Sequence, residues 1–298
     1  LPLGRSDAAL HDVGPGDPAL LMYTSGTTGR PKGVVHTQAS LLSGGWTTAI
    51  AHGLSAADRG FCILPIYHIT GLCVPVIASL AETQTAFDDR FGVPIIETMG
   101  LTETAAQILS NPLPPGVRKI GSPGVAFGCD VRIQDQNGTE EPRGQEGEIT
   151  VRGPNVLSEY LKNPEATRAA FHNGWLRTGD LAKMDADGYV FVTGRLKALI
   201  LKGGENIAPR EVDEALYSHP DVIEAAAFAR PCASYGERGE AAVRLRDGSH
   251  ISADALIDIC RDRLGAYKSP DAVYFMDELP KGPSGKLQRL KLADLIAL

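Results

Sequence analysis

The chain contains little cysteine, and the cysteines it has form no recognisable metal or disulfide pattern. Its five cysteines are widely spaced without a Cys-x-x-Cys pair, and its seven histidines include no His-x-x-x-His pattern. These absences argue against zinc ribbons and disulfide frameworks and are typical of a protein in a reducing compartment. We therefore expect a cytoplasmic location.

An excess of basic charge is also missing. The chain has 29 lysines and arginines against 36 aspartates and glutamates, a net charge of -7. Because nucleic-acid binding needs a basic face, we expect no nucleic-acid partner. A small anionic ligand would need local positive charge, for which we single out Lys32, Arg195, Lys286 and Arg289.

Neither a signal peptide nor a membrane span is predicted. The first residues carry Arg5 and Asp7 and have no apolar stretch. The apolar run 61–81 contains Pro65, His68 and Pro75, which favour a strand, a turn and a helix over a transmembrane helix.

The length of 298 residues predicts about two domains. Residues 18–110 have the pattern of an α/β region, and residues 111–195 that of short antiparallel strands, as in a small barrel. From residue 198 onward the pattern is that of a compact α+β unit.

Local signals predict the following elements. We expect strands at 18–23, 61–65, 93–97, 131–134, 148–152, 189–193, 222–229 and 273–276. We expect a helix from Pro209 to about Ser218, and a second helix that Ser252 caps and Gly265 ends.

The most informative segment is residues 23–34, Tyr-Thr-Ser-Gly-Thr-Thr-Gly-Arg-Pro-Lys-Gly-Val. Hydroxyl groups supply donors, glycines let the backbone approach a ligand closely, and a lysine adds charge, which together suit a phosphate chain. The segment is not a Walker-type loop, because Lys32 precedes Gly33 and not Ser or Thr. The alternative is a surface turn rich in small residues. The phosphate-binding candidates are Thr24, Ser25, Gly26, Thr27, Thr28, Gly29 and Lys32.

This segment closely resembles the phosphate loop of the adenylate-forming superfamily, which includes acyl- and aryl-CoA synthetases. The resemblance implies an α/β adenylate-forming fold. Its large N-terminal domain, with parallel α/β sheets and a small β-barrel, would occupy residues 1–196, and its small α+β C-terminal domain residues 197–298. ATP, Mg²⁺ and coenzyme A are the implied cofactor and co-substrates.

Three further motifs resemble the nucleotide site of that superfamily. In Gly100-Leu-Thr-Glu-Thr104, the resemblance implies that Gly100 and Thr102 bind nucleotide and that Glu103 holds the metal; a helix N-terminus is the alternative. Met99 stands where the family usually has a tyrosine beside the adenine. In Trp175-Leu-Arg-Thr-Gly-Asp180 the implied ribose ligand is Asp180, and the nearby Arg195 is implied to bind nucleotide.

Other residues are implied to serve catalysis, the hinge and coenzyme A. Lys286, in a Gly/Pro loop, resembles the catalytic lysine, and His68 resembles a residue that lines the acyl pocket; the alternatives are a solvated surface lysine and a core histidine. Lys197 resembles the hinge between the domains. The implied coenzyme A segment is Lys202, Gly203, Gly204 and Glu205.

The resemblance covers almost the whole chain, but the chain is shorter than family members. We expect that the N-terminal part of the large domain is absent and that a second gap falls near Thr85–Ala86. The implied function is ligation of a small-molecule carboxylic acid to coenzyme A through acyl-AMP. An acyl-AMP ligase that loads a carrier protein, and a truncated nucleotide-binding protein without turnover, are the alternatives. A homodimer is a further expectation.

Overall fold

The computed structural model describes residues 13–24, 32–54, 96–282 and 287–296. They fall into two compact units, one within Leu1–Val131 and Val151–Leu176, the other within Arg132–Thr150 and Arg177–Leu298. This division does not coincide with the domain boundary expected at 196/197, which stays a prediction.

Strands outnumber helices among the described residues. The helices are α1 (Gln38–Ala51), α2 (Pro164–Ala170), α3 (Pro209–Tyr217), α4 (Ala253–Leu264) and α5 (Leu292–Ile296). The strands are β1 (Pro18–Thr24), β2 (Lys32–Thr37), β3 (Thr98–Leu101), β4 (Ala106–Ser110), β5 (Val125–Ala126), β6 (Asp130–Gln134), β7 (Glu146–Arg152), β8 (Glu159–Tyr160), β9 (Phe171–His172), β10 (Trp175–Met184), β11 (Val190–Arg195), β12 (Ile200–Lys202), β13 (Glu205–Ile207), β14 (Val222–Cys232), β15 (Gly236–Leu245) and β16 (Val273–Phe275).

The candidate phosphate loop joins two antiparallel strands. β1 pairs with β2 so that Thr24 lies opposite Lys32, and β2 also pairs with β8. A connection this short cannot reach a parallel neighbour, which needs a crossover of a dozen or more residues. The described strands of this region all pair antiparallel, so the parallel sheets that the resemblance implies for residues 1–196 do not appear among these pairs.

A second sheet of the first unit has the strand order β3-β4-β5. Of the strand predicted at 93–97, only Ile96 and Glu97 lie in the described part of the chain, and they precede β3, which begins at Thr98. The prediction rested on apolar residues up to Ile96. In the structure the first residue of the β3–β4 ladder is Thr98, which pairs with Ser110. The predicted strand at 61–65 lies outside the described residues.

The third sheet has the order β11-β10-β7-β6, with β9 paired to β10. The short strands predicted at 131–134, 148–152 and 189–193 correspond to β6, β7 and β11, with bounds that differ by one to two residues. Across the β10–β11 ladder, Asp180 lies opposite Arg195. The antiparallel hairpins predicted for 111–195 are present in this sheet.

The C-terminal elements form an α+β layer, as expected. The sheet order is β13-β12-β15-β14, and β16 runs parallel to β15. α3 begins at Pro209 and buries Val212 and Leu216, and the side chain of Ser252 caps α4. A core of buried side chains from α3, α4 and the sheet holds this layer together. No helix in the described parts of the chain is long and apolar enough to cross a membrane.

Candidate functional site

In the first unit, a single turn carries two of the predicted site residues. Thr102 and Glu103 lie in a one-turn 3-10 helix, Thr102–Thr104, that follows β3. The hydroxyl of Thr104 is 3.1 Å from the backbone nitrogen of Leu101, which donates to it, and the next residue, Ala105, has a left-handed φ of 47°. The helix N-terminus named as the alternative is here that of a one-turn 3-10 helix, which begins at Thr102 and ends after three residues.

Buried side chains from other segments hold this turn in place. The side-chain amide of Asn155 donates to the carbonyl oxygen of Thr104 at 3.0 Å, and the backbone N–H of Leu157 donates to the carbonyl oxygen of Glu103 at 2.7 Å. These bonds fix the backbone from which the carboxylate of Glu103 extends.

His36 ties the turn to the strand that begins at Lys32. Its imidazole is fully buried, with Nε2 2.6 Å from the carbonyl oxygen of Thr102 and Nδ1 3.1 Å from the hydroxyl of Ser40. A carbonyl oxygen only accepts, so Nε2 carries the proton and donates. Burial lowers the pKa of His36. Sequence reasoning singled out His68 and missed His36, although a histidine between Val35 and Thr37, just past the phosphate loop, was a usable signal.

Lys32 and Glu103 meet at one aromatic ring. The hydroxyl of Tyr160 donates to Oε1 of Glu103 at 3.0 Å, and Nζ of Lys32 lies 4.8 Å from the centre of the Tyr160 ring. Thr24, opposite Lys32 in the β1–β2 ladder, has its hydroxyl 3.5 Å from the Lys32 carbonyl oxygen. The structure thus brings three predicted site residues from two motifs to one place, together with an unpredicted tyrosine.

The donor set around Glu103 fits a magnesium ion. Mg²⁺ prefers hard oxygen ligands, keeps several waters, and is commonly bound through one or two carboxylates and substrate phosphates. Tyr160 occupies only one of the carboxylate oxygens of Glu103. No group of three or more acidic, histidine or cysteine side chains able to hold a metal occurs among the described residues.

In the second unit, Asp180 and Arg195 form a close ion pair across β10 and β11. Nε of Arg195 lies 2.5 Å from Oδ1 of Asp180, and Nη2 lies 3.4 Å from Oδ2. Asp180 is buried, whereas the Arg195 side chain is 41% exposed. The pair fixes the orientation of the carboxylate, which keeps lone pairs able to accept hydroxyl donors.

Glu148 holds the segment that leads to Asp180. Its buried carboxylate accepts from Nε of Arg177 at 2.6 Å and from the backbone N–H of Gly179 at 2.8 Å. The hydroxyl of Thr178 in turn accepts from the backbone N–H of Asp180. Sequence reasoning missed Glu148; a charged residue at the start of a predicted strand that contains Ile149 and Val151 was the available signal.

The candidate coenzyme A segment connects β12 to β13 by a tight turn. Gly203 and Gly204 have φ values of 54° and 88°, a backbone that favours glycine. Lys202 is buried, its Nζ is 3.1 Å from Oδ1 of Asp271, and the hydroxyl of Tyr267 donates to its carbonyl oxygen. The ammonium therefore already has a partner within its own unit, while Glu205 is exposed. Lys197, the candidate hinge, is exposed in a short turn between β11 and β12.

The guanidinium of Arg289 forms an ion pair and a hydrogen bond inside the second unit, so it is not available to bind a nucleotide. Its guanidinium is 2.5 Å from Oδ2 of Asp213 and also donates to the carbonyl oxygen of Ala227. Burial raises the pKa of Asp213, and the guanidinium of Arg289 opposes that rise. The expectation that Arg289 supplies local positive charge to a ligand is therefore not supported by this geometry.

Several predicted residues lie outside the described part of the chain. They are Ser25, Gly26, Thr27, Thr28, Gly29, His68 and Lys286. Met99 and Gly100 are described and lie in β3, directly before the Thr102–Thr104 turn. The proposed roles of all these residues stay predictions.

Comparison with known protein families decides the family. The model of the AMP-binding enzyme family matches residues 4–87 and 80–161, and that of the AMP-binding enzyme C-terminal domain matches residues 211–286. The chain belongs to the AMP-binding enzyme family. The adenylate-forming fold expected from the motifs is thereby confirmed.

Curated relatives of this AMP-binding enzyme are CoA ligases. The chain is 44% identical to sulfoacetate–CoA ligase of Cupriavidus necator over 341 residues, covering 93% of this chain and 67% of that protein. It is 33% identical to oxalate–CoA ligase of Arabidopsis thaliana, covering 92% of this chain and 67% of that protein. The chain thus spans about two thirds of the length of these relatives.

Solved structures that resemble this chain include enzymes bound to ATP. ATP-bound MatB from Rhodopseudomonas palustris matches with a TM-score of 0.88 at 30% identity, covering 96% of this chain and 70% of that one. O-succinylbenzoate coenzyme A synthetase from Bacillus subtilis, in complex with ATP and magnesium ion, matches with a TM-score of 0.80 at 31% identity, covering 91% and 69%. Together the comparisons support ATP-dependent acid–CoA ligation.

The comparisons also support the internal gap. The alignment with the Cupriavidus ligase runs over 341 residues, more than the 298 of this chain, so that relative has residues without a counterpart here. The two segments matched by the AMP-binding model meet at residues 80–87, which include Thr85 and Ala86.

Proposed function

We propose that the protein is an ATP-dependent acid–CoA ligase that forms acyl-AMP and pyrophosphate and then passes the acyl group to coenzyme A. The observation that carries the proposal is the meeting of Lys32 and Glu103 at Tyr160, because it joins a candidate phosphate-binding cation to a candidate metal-binding carboxylate. Two motifs far apart in sequence would not converge in this way if each were only a surface turn.

The residues would divide the work as follows. Thr24, Lys32 and the adjoining loop would bind the ATP phosphates, and Thr102 would contact the α-phosphate. Glu103 would hold Mg²⁺, which would neutralise phosphate charge when bound. Asp180 and Arg195 would bind the nucleoside.

Lys286 would stabilise the charge that develops as the carboxylate attacks the α-phosphate and pyrophosphate leaves. Movement about Lys197 would then exchange Lys286 for the segment Gly203–Glu205, along which coenzyme A would approach. Its thiol would attack the acyl carbon, and AMP would leave. Dividing the reaction replaces one difficult substitution by two easier ones.

Two of the three described cysteines are poor candidates for a nucleophile. Burial raises the pKa of the Cys129 thiol to about 12 and that of Cys260 to about 11, so neither is poised to attack an acyl group. The reducing cytoplasm remains our proposal for the compartment. A homodimer likewise remains a prediction, which light scattering of the purified protein would check.

Acid-dependent exchange of labelled pyrophosphate into ATP tests the first half-reaction. A suitable panel is sulfoacetate, oxalate, succinylbenzoate and ferulate, the acids named for relatives. We expect exchange with at least one acid, and acyl-CoA once coenzyme A is added. Exchange without use of coenzyme A would favour the carrier-protein ligase, and ATP binding without exchange would favour a nucleotide-binding protein without turnover.

A further inference from the structure

Tyr160 contacts both charged residues of the candidate phosphate and metal site, yet no motif assigned it a role. Its hydroxyl donates to Oε1 of Glu103 at 3.0 Å, and its ring faces Nζ of Lys32 at 4.8 Å. Glu103 lies 57 positions before Tyr160 in the chain. A single side chain therefore touches the two groups that the proposed reaction needs at the phosphates.

The position of Tyr160 is itself firmly set. The residue is only 7% exposed and packs in a cluster with Val34, Leu157 and Leu176. Its backbone N–H donates to the hydroxyl of Thr167 at 3.0 Å, and it pairs with Val34 in the β2–β8 ladder. Close packing therefore fixes the ring, so that the side chains of Lys32 and Glu103 contact a group that does not move.

We propose that Tyr160 is a positioning residue that orients Glu103 for the metal and restrains Lys32 for the phosphates; this rests on the proposed function. The hydroxyl donates to one carboxylate oxygen of Glu103 and thereby fixes the orientation of the carboxylate that would hold the metal. The ring face attracts the ammonium and limits the rotamers of a long, flexible side chain. Hydrogen-bond partners of metal ligands typically contribute 10- to 100-fold in metal affinity or activity.

The test compares Tyr160→Phe with the parent protein in calorimetric titrations of ATP, with Mg²⁺ and with a chelator. Phenylalanine keeps the ring and removes only the hydroxyl bond to Glu103. We expect the Mg²⁺ concentration that gives half of the metal-dependent gain in ATP affinity to rise about 10-fold or more. The ATP affinity measured with the chelator should not change. Tyr160→Leu also removes the ring, so metal-free ATP binding should weaken as well.

Two controls separate positioning from general damage. Tyr217→Phe removes a hydroxyl that accepts from the backbone N–H of Ala225 at 3.1 Å in the second unit, and it should leave the Mg²⁺ dependence unchanged. In a Glu103→Gln background, Tyr160→Phe should have little further effect, because both changes act on one contact.

The outcomes distinguish this proposal from the proposed function. If the parent protein binds ATP with Mg²⁺ but a folded Tyr160→Phe shows the same Mg²⁺ dependence, the positioning role is refuted while the function stands. Full additivity of Tyr160→Phe and Glu103→Gln would refute it too. If the parent protein fails to bind ATP at all, the proposed function is refuted first, and the role of Tyr160 with it.

Discussion

At the scale of single residues, the ion pair of Asp180 and Arg195 orients the carboxylate that is the second unit's candidate for binding the nucleoside. The carboxylate is buried and held at 2.5 Å by the guanidinium, so its free lone pairs have a fixed direction. A hydroxyl donor from a ribose would meet an acceptor that needs no reorganisation. Because Arg195 is held by this carboxylate, a substitution at Asp180 also removes the ionic partner that orients the Arg195 guanidinium.

Asp180→Asn should weaken ATP binding about 10- to 100-fold, because hydrogen bonds to charged groups contribute about 1.5–3 kcal/mol. Calorimetric titration of ATP checks this. The matched control is Asp130→Asn, whose partner Arg152 lies at 3.1 Å on the surface with both side chains more than half exposed. ATP affinity should be unchanged in that control; equal affinity in folded Asp180→Asn would show that Asp180 is not a nucleotide ligand.

Lys286→Ala should separate the two half-reactions. We expect acyl-AMP formation to fall by about 100- to 1,000-fold, the loss typical for one well-placed electrostatic donor. Supplied with preformed acyl-AMP, the variant should make acyl-CoA at nearly the parent rate. Rapid-quench measurement of both steps checks this, and an equal loss in both would argue against a lysine that serves adenylation alone.

At the scale of elements, helix α1 packs unusually close to the turn that carries Glu103. A Cβ atom at Gly44 would lie 2.2 Å from the carbonyl oxygen of Ala105 and 2.8 Å from its Cβ. Ala105 has the left-handed φ that ends the Thr102–Thr104 turn. A side chain at position 44 can therefore be accommodated only if the helix or the turn shifts.

Gly44→Ala should destabilise the protein by about 1–3 kcal/mol, the usual cost of overpacking, and should weaken Mg²⁺-dependent ATP binding because the turn must shift. Gly45→Ala is the matched control, since nothing lies within 4 Å of its added Cβ. That change should stabilise the helix by about 1 kcal/mol. Urea unfolding measures both; a Gly44→Ala variant as stable as Gly45→Ala would contradict the close packing.

At the scale of the whole molecule, local signals predicted much of the fold. Pro209 and Ser252 begin the helices that they were expected to begin, because first-turn and capping chemistry depends on neighbours along the chain. The pairing of β1 with β2 was not foreseen. The apolar residues of β1 predicted a strand without a partner, whereas the short connection to Lys32 requires a hairpin.

The motifs named residues of the candidate site but not the contacts that hold them. Lys32, Glu103 and Asp180 were visible in short sequence patterns. His36, Tyr160 and Glu148 contact them or their segments over 31 to 66 positions of separation. Such contacts depend on tertiary packing, so a single sequence does not show which of these residues meet.

The most direct test of the central claim follows heavy oxygen from the acid into the product. The carboxylate of an active acid is labelled, the reaction with ATP and coenzyme A is run, and the AMP is analysed by mass spectrometry. Activation through acyl-AMP predicts that AMP carries one heavy oxygen, because the bond between the carboxylate oxygen and phosphorus survives acyl transfer. Unlabelled AMP, or ADP and phosphate as products, would contradict the account.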